Sequence, residues 1–153
     1  LLKANLDRSH SPYYLMEQLG SNARKNGRPA EALRWYEQAW ERSEGPATRL
    51  QWGSAYFAAL VELAPAGMER VERVATRIFD EAARDPAAFH ERSARSLQRL
   101  AGKLAAWGTA PDRGPVMKRL QSRITSWCAG LPRADPQRAT CDAVARSITP
   151  PAT

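Results

Sequence analysis

The chain has few of the residues on which catalytic and metal sites most often depend. Its 153 residues include two cysteines and two histidines. It contains neither the Gly-X-Ser-X-Gly turn of hydrolases nor a glycine-rich phosphate loop ending in Lys-Ser or Lys-Thr. His10 and His90 lack metal-ligand spacing with the cysteines, which favours two surface histidines over a zinc site. The sequence therefore predicts a chain that is not an enzyme and has no cofactor and no metal.

Long apolar runs, strand-like alternation and lysine are also scarce. No apolar run approaches the roughly 18 residues that a membrane span needs, so no membrane-spanning helix is expected. The net charge of +7 comes mostly from arginine, because only four residues are lysine. A basic surface favours acidic partners or anionic lipid, although arginine with abundant alanine is also typical of GC-rich genomes. Because the chain opens at Leu1 without a signal peptide, we expect a fragment whose chemistry lies upstream.

Proline, glycine and apolar periodicity predict seven helices and an all-α fold. Proline favours the first position of a helix, and glycine favours its end. Apolar residues recur at helical spacing between these marks. The predicted helices run from Pro12 to before Gly27, about Pro29 to Gly45, Pro46 to about Leu63, after Gly67 to about Ala82, about Pro86 to Trp107, Pro115 to Gly130, and Pro136 to Ile148.

Small and aromatic residues in the first two predicted helices resemble a tetratricopeptide (TPR) repeat. The residues behind this resemblance are Leu19, Gly20, Ala23, Gly27, Ala32, Tyr36 and Ala39. A weaker copy follows in Gly53, Tyr56, Ala75, Phe79 and Ala82. The resemblance implies a TPR-like α-solenoid of about seven antiparallel helices in a single domain, 1–153. Its repeats would span about 12–45 and 46–86, with C-terminal helices over about 87–148 and a frayed tail, 149–153.

In TPR repeats the first helix of each pair lines a concave groove that binds extended peptides. Transferring that register gives the groove candidates Tyr14, Glu17, Ser21, Arg24, Lys25, Leu50, Gln51, Ser54 and Phe57. Glu17 and Ser21 stand where chaperone-binding TPR modules use Lys and Asn, which argues against a carboxylate clamp. The alternative is that these side chains are merely exposed or contact a neighbouring domain.

A basic stripe runs along the fifth predicted helix. Arg92, Arg95, Arg99 and Lys103 lie opposite its apolar residues. The two interpretations are a solvated helix face and an anion-binding surface. A nucleic-acid site is disfavoured, because exposed aromatic residues for base stacking are lacking.

The two cysteines fall on the last two predicted helices. A short link through Gly130 and Pro132 folds these helices into a hairpin, which brings the Cα atoms of Cys128 and Cys141 within reach of a disulfide. Such a bridge is typical of an oxidising compartment. The alternative is a pair of reduced cysteines packed as small apolar residues. A redox-active pair is disfavoured, since Cys-X-X-Cys spacing is absent.

The chain as a whole is also similar to the helical C-terminal domain of bacterial thioredoxin-family proteins. The strings that carry this resemblance are Ser11-Pro12-Tyr13-Tyr14, the stretch 45–53 (GPATRLQWG), and 128–141 from Cys-Ala-Gly-Leu-Pro to the second cysteine. The resemblance implies an upstream thioredoxin domain, export to the periplasm and a structural role for the cysteine pair.

These resemblances together predict a scaffold that binds a protein, a peptide or its own thioredoxin domain. Two alternatives stay open. One is a self-association module that makes the parent protein a dimer. The other is an anion- or nucleic-acid-binding domain built on the basic stripe.

Overall fold

In a computed structural model, residues 12–148 form seven α-helices, and the same residues contain no β-strand. The all-α prediction is confirmed. The helices are α1 (Pro12–Lys25), α2 (Pro29–Arg42), α3 (Pro46–Leu63), α4 (Met68–Ala83), α5 (Glu91–Trp107), α6 (Gly114–Ala129) and α7 (Pro136–Ser147). A single 3₁₀ turn, Pro111–Arg113, precedes α6. Ser11, His10 and the tail 149–153 lie outside the described residues.

Local signals set most helix boundaries. Proline occupies the first or second position of α2, α3, α6 and α7. Gly27 and Gly45, with φ of 71° and 86°, adopt the left-handed conformation in the links on either side of α2. Asp135 caps α7, because its carboxylate accepts a hydrogen bond from the backbone N–H of Gln137 at 2.9 Å.

The predicted start of α5 at Pro86 is wrong, because the helix begins at Glu91. Residues 86–90 form turns instead. A side chain from α7 holds them: the amide of Gln137 accepts from Phe89 N–H at 2.9 Å and donates to the Pro86 carbonyl at 2.8 Å. Glu91 then enters the helix with a φ of 43°, which is uncommon for a residue other than glycine.

The helices pack in two rows, which is compatible with a helical repeat. α1 pairs with α2, and α3 contacts α2, α4 and α5. Further along, α4 contacts α6, while α7 contacts both α5 and α6. Two hydrogen bonds join α5 to the α3 segment at the same spacing of 42 residues: Ser54 to the Ser96 carbonyl, and Trp107 to the Pro65 carbonyl. α5 therefore runs parallel to α3, one structural unit further along the chain.

Two glycines allow neighbouring helices to approach closely. A Cβ at Gly20 would lie 3.2 Å from the Tyr36 ring and 3.3 Å from the Ala32 carbonyl oxygen. A Cβ at Gly53 would lie 3.0 Å from Trp40 Nε1. The small residues of the repeat-like pattern thus mark the places where α1 meets α2 and where α3 meets its neighbours.

Candidate functional site

The predicted groove residues on α1 remain accessible. Tyr14 is 55% exposed, the largest exposed apolar side chain among the described residues. Glu17 and Lys25 are exposed, and Ser21 is half-buried. Arg24 forms an ion pair with Glu62, which ties α1 to α3 and raises the pKa of the guanidinium through the hydrogen bond to that carboxylate.

The groove residues on α3 divide into one accessible and three buried positions. Gln51 is half-buried, whereas Leu50 is buried. Ser54 is 1% exposed and donates its hydroxyl to the Ser96 carbonyl of α5 at 3.3 Å. Phe57 is fully buried. The prediction that Leu50, Ser54 and Phe57 line a surface groove is wrong, because α3 is enclosed by α2, α4 and α5.

An aromatic cluster joins the start of α1 to α3. The ring of Trp52 lies 5.6 Å from that of Tyr13 and 5.2 Å from that of Tyr14, centroid to centroid. Trp52 is buried, and its indole N–H has no hydrogen-bond partner among the described residues. Trp52 was not predicted as a site residue. The available signal was the presence of three aromatic residues, Tyr13, Tyr14 and Trp52, on two helices predicted to pack together. The cluster leaves Tyr14 as an exposed aromatic edge.

The even-numbered helices are joined by arginine–carboxylate pairs. From α4, Arg77 donates to Glu41 of α2 at 2.6 Å, and Arg70 lies 3.5 Å from Glu37. The next pairs are Arg119–Glu72 at 2.6 Å and Arg123–Asp80 at 2.8 Å, both from α6 to α4. We call these four contacts the ion-pair ladder. In each pair the later helix supplies the arginine and the earlier helix the carboxylate.

Two pairs of the ladder change the titration of their carboxyl groups, those of Glu41 and Glu72. The hydrogen bond from Arg77 lowers the pKa of Glu41, and that from Arg119 lowers the pKa of Glu72. Arg77 also lies over the Trp40 ring, 4.4 Å from its centroid. The Arg77–Glu41 and Arg119–Glu72 pairs therefore stabilise the fold at neutral pH, and this stabilisation is lost as the pH falls through the pKa of each carboxyl group.

Tyr56 links three helices at one end of the ladder. Its hydroxyl donates to Glu37 at 2.7 Å and accepts from Arg70 at 2.9 Å. Burial, followed by the hydrogen bond to Glu37, raises the pKa of Tyr56 from 10.0 to about 12. The tyrosine therefore stays neutral and holds α2, α3 and α4 together across the physiological range.

The basic stripe on α5 contrasts with the ladder. Arg92, Arg95, Arg99 and Lys103 are exposed, and none of them forms an ion pair or a hydrogen bond with its side chain among residues 12–148. Their spacing of three or four residues places them on one side of α5 over about 16 Å. The acid on the same helix, Glu91, lies at its first turn. The stripe is thus a continuous uncompensated positive surface.

An open groove with a volume of 770 Å³ lies between α4 and α6. The sequence did not predict this groove, because its apolar periodicity indicated only which side of α6 faces the core. Most of the polar lining of the groove comes from the outward side of α6 and includes Lys118, Ser122 and Ser126. The signal available in the sequence was weak: two serines spaced like one helix face, beside basic residues.

The two cysteines come together at the end of the fold. Cys128 on α6 and Cys141 on α7 have sulfur atoms at bonding distance and Cα atoms 5.5 Å apart. Both side chains are buried. The predicted proximity is confirmed, and the bridge covalently joins the last two helices.

Three further observations bear on the kind of site this chain can carry. Among residues 12–148, no group of three or more His, Cys, Asp or Glu side chains is placed to hold a metal ion. His90 is exposed at the start of α5, as expected for a surface histidine. In the described part of the chain, every helix is too short or too polar to cross a membrane.

No protein-family model, curated protein or solved structure matches this chain.

Proposed function

We propose that this chain is a non-catalytic, TPR-like scaffold that binds a protein or peptide partner through the exposed sides of α1 and α5. Tyr14 supplies an aromatic contact and the basic stripe supplies charge. The partner presents an extended segment with acidic side chains to these groups.

The observation that carries this proposal is the unequal use of arginine. On α4 and α6, Arg77, Arg119 and Arg123 are matched by carboxylates of neighbouring helices, so their charge stabilises the fold. The stripe residues on α5 have no such partner in residues 12–148, although the same chain supplies carboxylates elsewhere. Unmatched exposed cations on one helix face raise the local positive potential and attract acidic segments.

Binding is tested with a fluorescently labelled peptide that alternates glutamate with serine and glycine, measured by anisotropy. Its counterpart with glutamine in place of glutamate is the peptide control. The variant Arg95→Glu/Arg99→Glu should weaken binding by about tenfold or more, since it reverses two contacts. The matched variant Arg133→Glu/Arg146→Glu makes the same charge change at exposed positions outside α5 and should bind as the parent does.

Three outcomes contradict the proposal. Equal binding of the glutamine peptide would remove the role of charge. Preference for a single-stranded oligonucleotide over the acidic peptide would favour the nucleic-acid alternative. A dimer in light scattering that Arg95→Glu/Arg99→Glu dissociates would favour the self-association module.

We also propose that this domain accompanies a thioredoxin-like oxidoreductase in an exported protein. The support is the resemblance of three strings in the sequence, together with a cysteine pair at disulfide distance, which suits an oxidising compartment. Mass spectrometry with thiol titration, on protein purified without reductant, tests the compartment. Two free thiols in protein made in a periplasm would contradict it.

A further inference from the structure

We propose that the groove between α4 and α6 is a second docking site, which takes an acidic amphipathic helix of a protein partner. It is separate from the α5 stripe and does not depend on the function proposed above.

The floor of the groove is apolar and firmly held. Phe79 and Ala83 contribute from α4, and Trp127 from α6. Trp127 is half-buried, and its ring packs against Phe89 with centroids 4.7 Å apart. Tryptophan in such a partly covered position is the residue type that most often dominates the energy of an interface. Because Ala83 and the two lining serines are small, a partner can come close to this floor.

The walls of the groove are already ordered. The ladder pairs Arg119–Glu72 and Arg123–Asp80 cross between α6 and α4 and fix the two helices side by side. Binding to a preformed groove costs less conformational entropy than binding to one that must first order. The volume of 770 Å³ is within the range of established binding clefts.

Charge selects the kind of helix. The lining carries three cations, Lys118, Arg119 and Arg123. Arg119 and Arg123 are paired with Glu72 and Asp80, so the uncompensated positive charge of the groove is that of Lys118. Lys118 is exposed and forms no ion pair among the described residues. A partner with acidic side chains beside its apolar ones therefore complements the groove, whereas a basic helix is repelled.

The length of the wall fits a short helix. The α6 residues that line the groove extend from Lys118 to Trp127, about 14 Å, which corresponds to about two and a half helical turns. Two helices side by side form a channel that receives a third through anchors at i, i+4 and i+7. Such an occupant places leucine-like side chains on Trp127 and glutamates beside Lys118.

The probe is a synthetic helix with leucines at i, i+4 and i+7 flanked by glutamates, and binding is measured by anisotropy. A version with lysines for glutamates is its control. Ser126→Trp fills the groove and should weaken binding by about tenfold. The matched variant Thr125→Trp adds the same side chain at the adjacent exposed position, outside the lining, and should leave binding unchanged.

A charge pair completes the test. Lys118→Glu should weaken binding of the acidic helix, whereas Lys103→Glu, on the α5 stripe, should not. Because Lys103→Glu addresses the first proposal and Ser126→Trp the second, the two fail independently.

Three results would overturn the inference: no binding of the glutamate helix, equal binding of the lysine helix, or equal loss with Thr125→Trp. A homodimer that Ser126→Trp dissociates would also overturn it, since the occupant would then be a second copy of this chain.

Discussion

At Gly20 and Gly53 the absence of a side chain is a packing requirement. Both lie in helices, where glycine costs about 1 kcal/mol relative to alanine. That cost is offset because helix α2 can then contact α1 and α3 directly through Tyr36 and Trp40. Gly102 in α5 is different, since a Cβ there would meet no atom within 4 Å.

This contrast predicts opposite effects for the same substitution. Gly53→Ala should lower the free energy of unfolding by about 1 kcal/mol, because overpacking against Trp40 and Ile78 exceeds the gain in helix propensity. Gly102→Ala should raise it by about 0.5–1 kcal/mol, since only propensity changes. Urea unfolding of the two variants measures both. A stabilised Gly53→Ala protein would show that α2 and α3 are less tightly packed than described.

At the scale of the helices, Tyr56 is the group whose protonation matters most. Its pKa is about 12 in the fold, against about 10 in the unfolded chain. A raised pKa contributes stability that is present below pH 10 and is lost between about pH 10 and 12. We expect the parent protein to lose about 2 kcal/mol over this window from Tyr56 alone.

The matched variant is Tyr56→Phe, which keeps the ring and the Arg70–Glu37 pair. At neutral pH it should be less stable by about 2 kcal/mol, because both hydrogen bonds of the hydroxyl, to Glu37 and from Arg70, are lost. Its stability should fall less steeply than that of the parent above pH 10. Urea unfolding at a series of alkaline pH values measures the difference, and parallel pH curves for both proteins would contradict the assigned pKa.

Sequence patterns predicted the helices well wherever the controlling interaction is local. The positions of proline and glycine predicted the boundaries of six of the seven helices to within about three residues. The start of α5 failed because Gln137, about fifty residues further along the chain, holds residues 86–90 in turns. No pattern near Pro86 contains that information.

The candidate site was predicted less well, for a related reason. Helical periodicity places Ser54 and Phe57 on one side of α3 but does not say which later helix covers that side. α5 covers it. The α4–α6 groove was missed for the opposite reason, because a groove depends on how far two distant helices separate. Both errors concern pairs of helices rather than single ones.

On the scale of the whole molecule, charge is divided between stabilising the fold and leaving a surface free. The ladder matches arginines and carboxylates across α2, α4 and α6, whereas the α5 stripe is unmatched within residues 12–148. A net charge of +7 is therefore not spread evenly over the surface.

The disulfide also acts on the molecule as a whole. Its loop of 13 residues predicts a stabilisation of about 3 kcal/mol on the chain-entropy model. Cys128→Ala/Cys141→Ala should therefore lower the free energy of unfolding by about that amount. Urea unfolding with and without reductant measures it: the parent protein should respond to reductant, and the variant should not. An unchanged midpoint for the parent after verified reduction would contradict a stabilising bridge.

The position of this bridge also determines how the chain responds to mechanical force. When the chain is stretched from its two ends, the bond between Cys128 and Cys141 withholds the segment between them from extension. That segment would otherwise reach about 45 Å, whereas the bridged Cα atoms are 5.5 Å apart. The oxidised chain is thus shorter at full extension by about 40 Å, a step large enough for a single-molecule stretching measurement to count oxidised and reduced molecules one at a time.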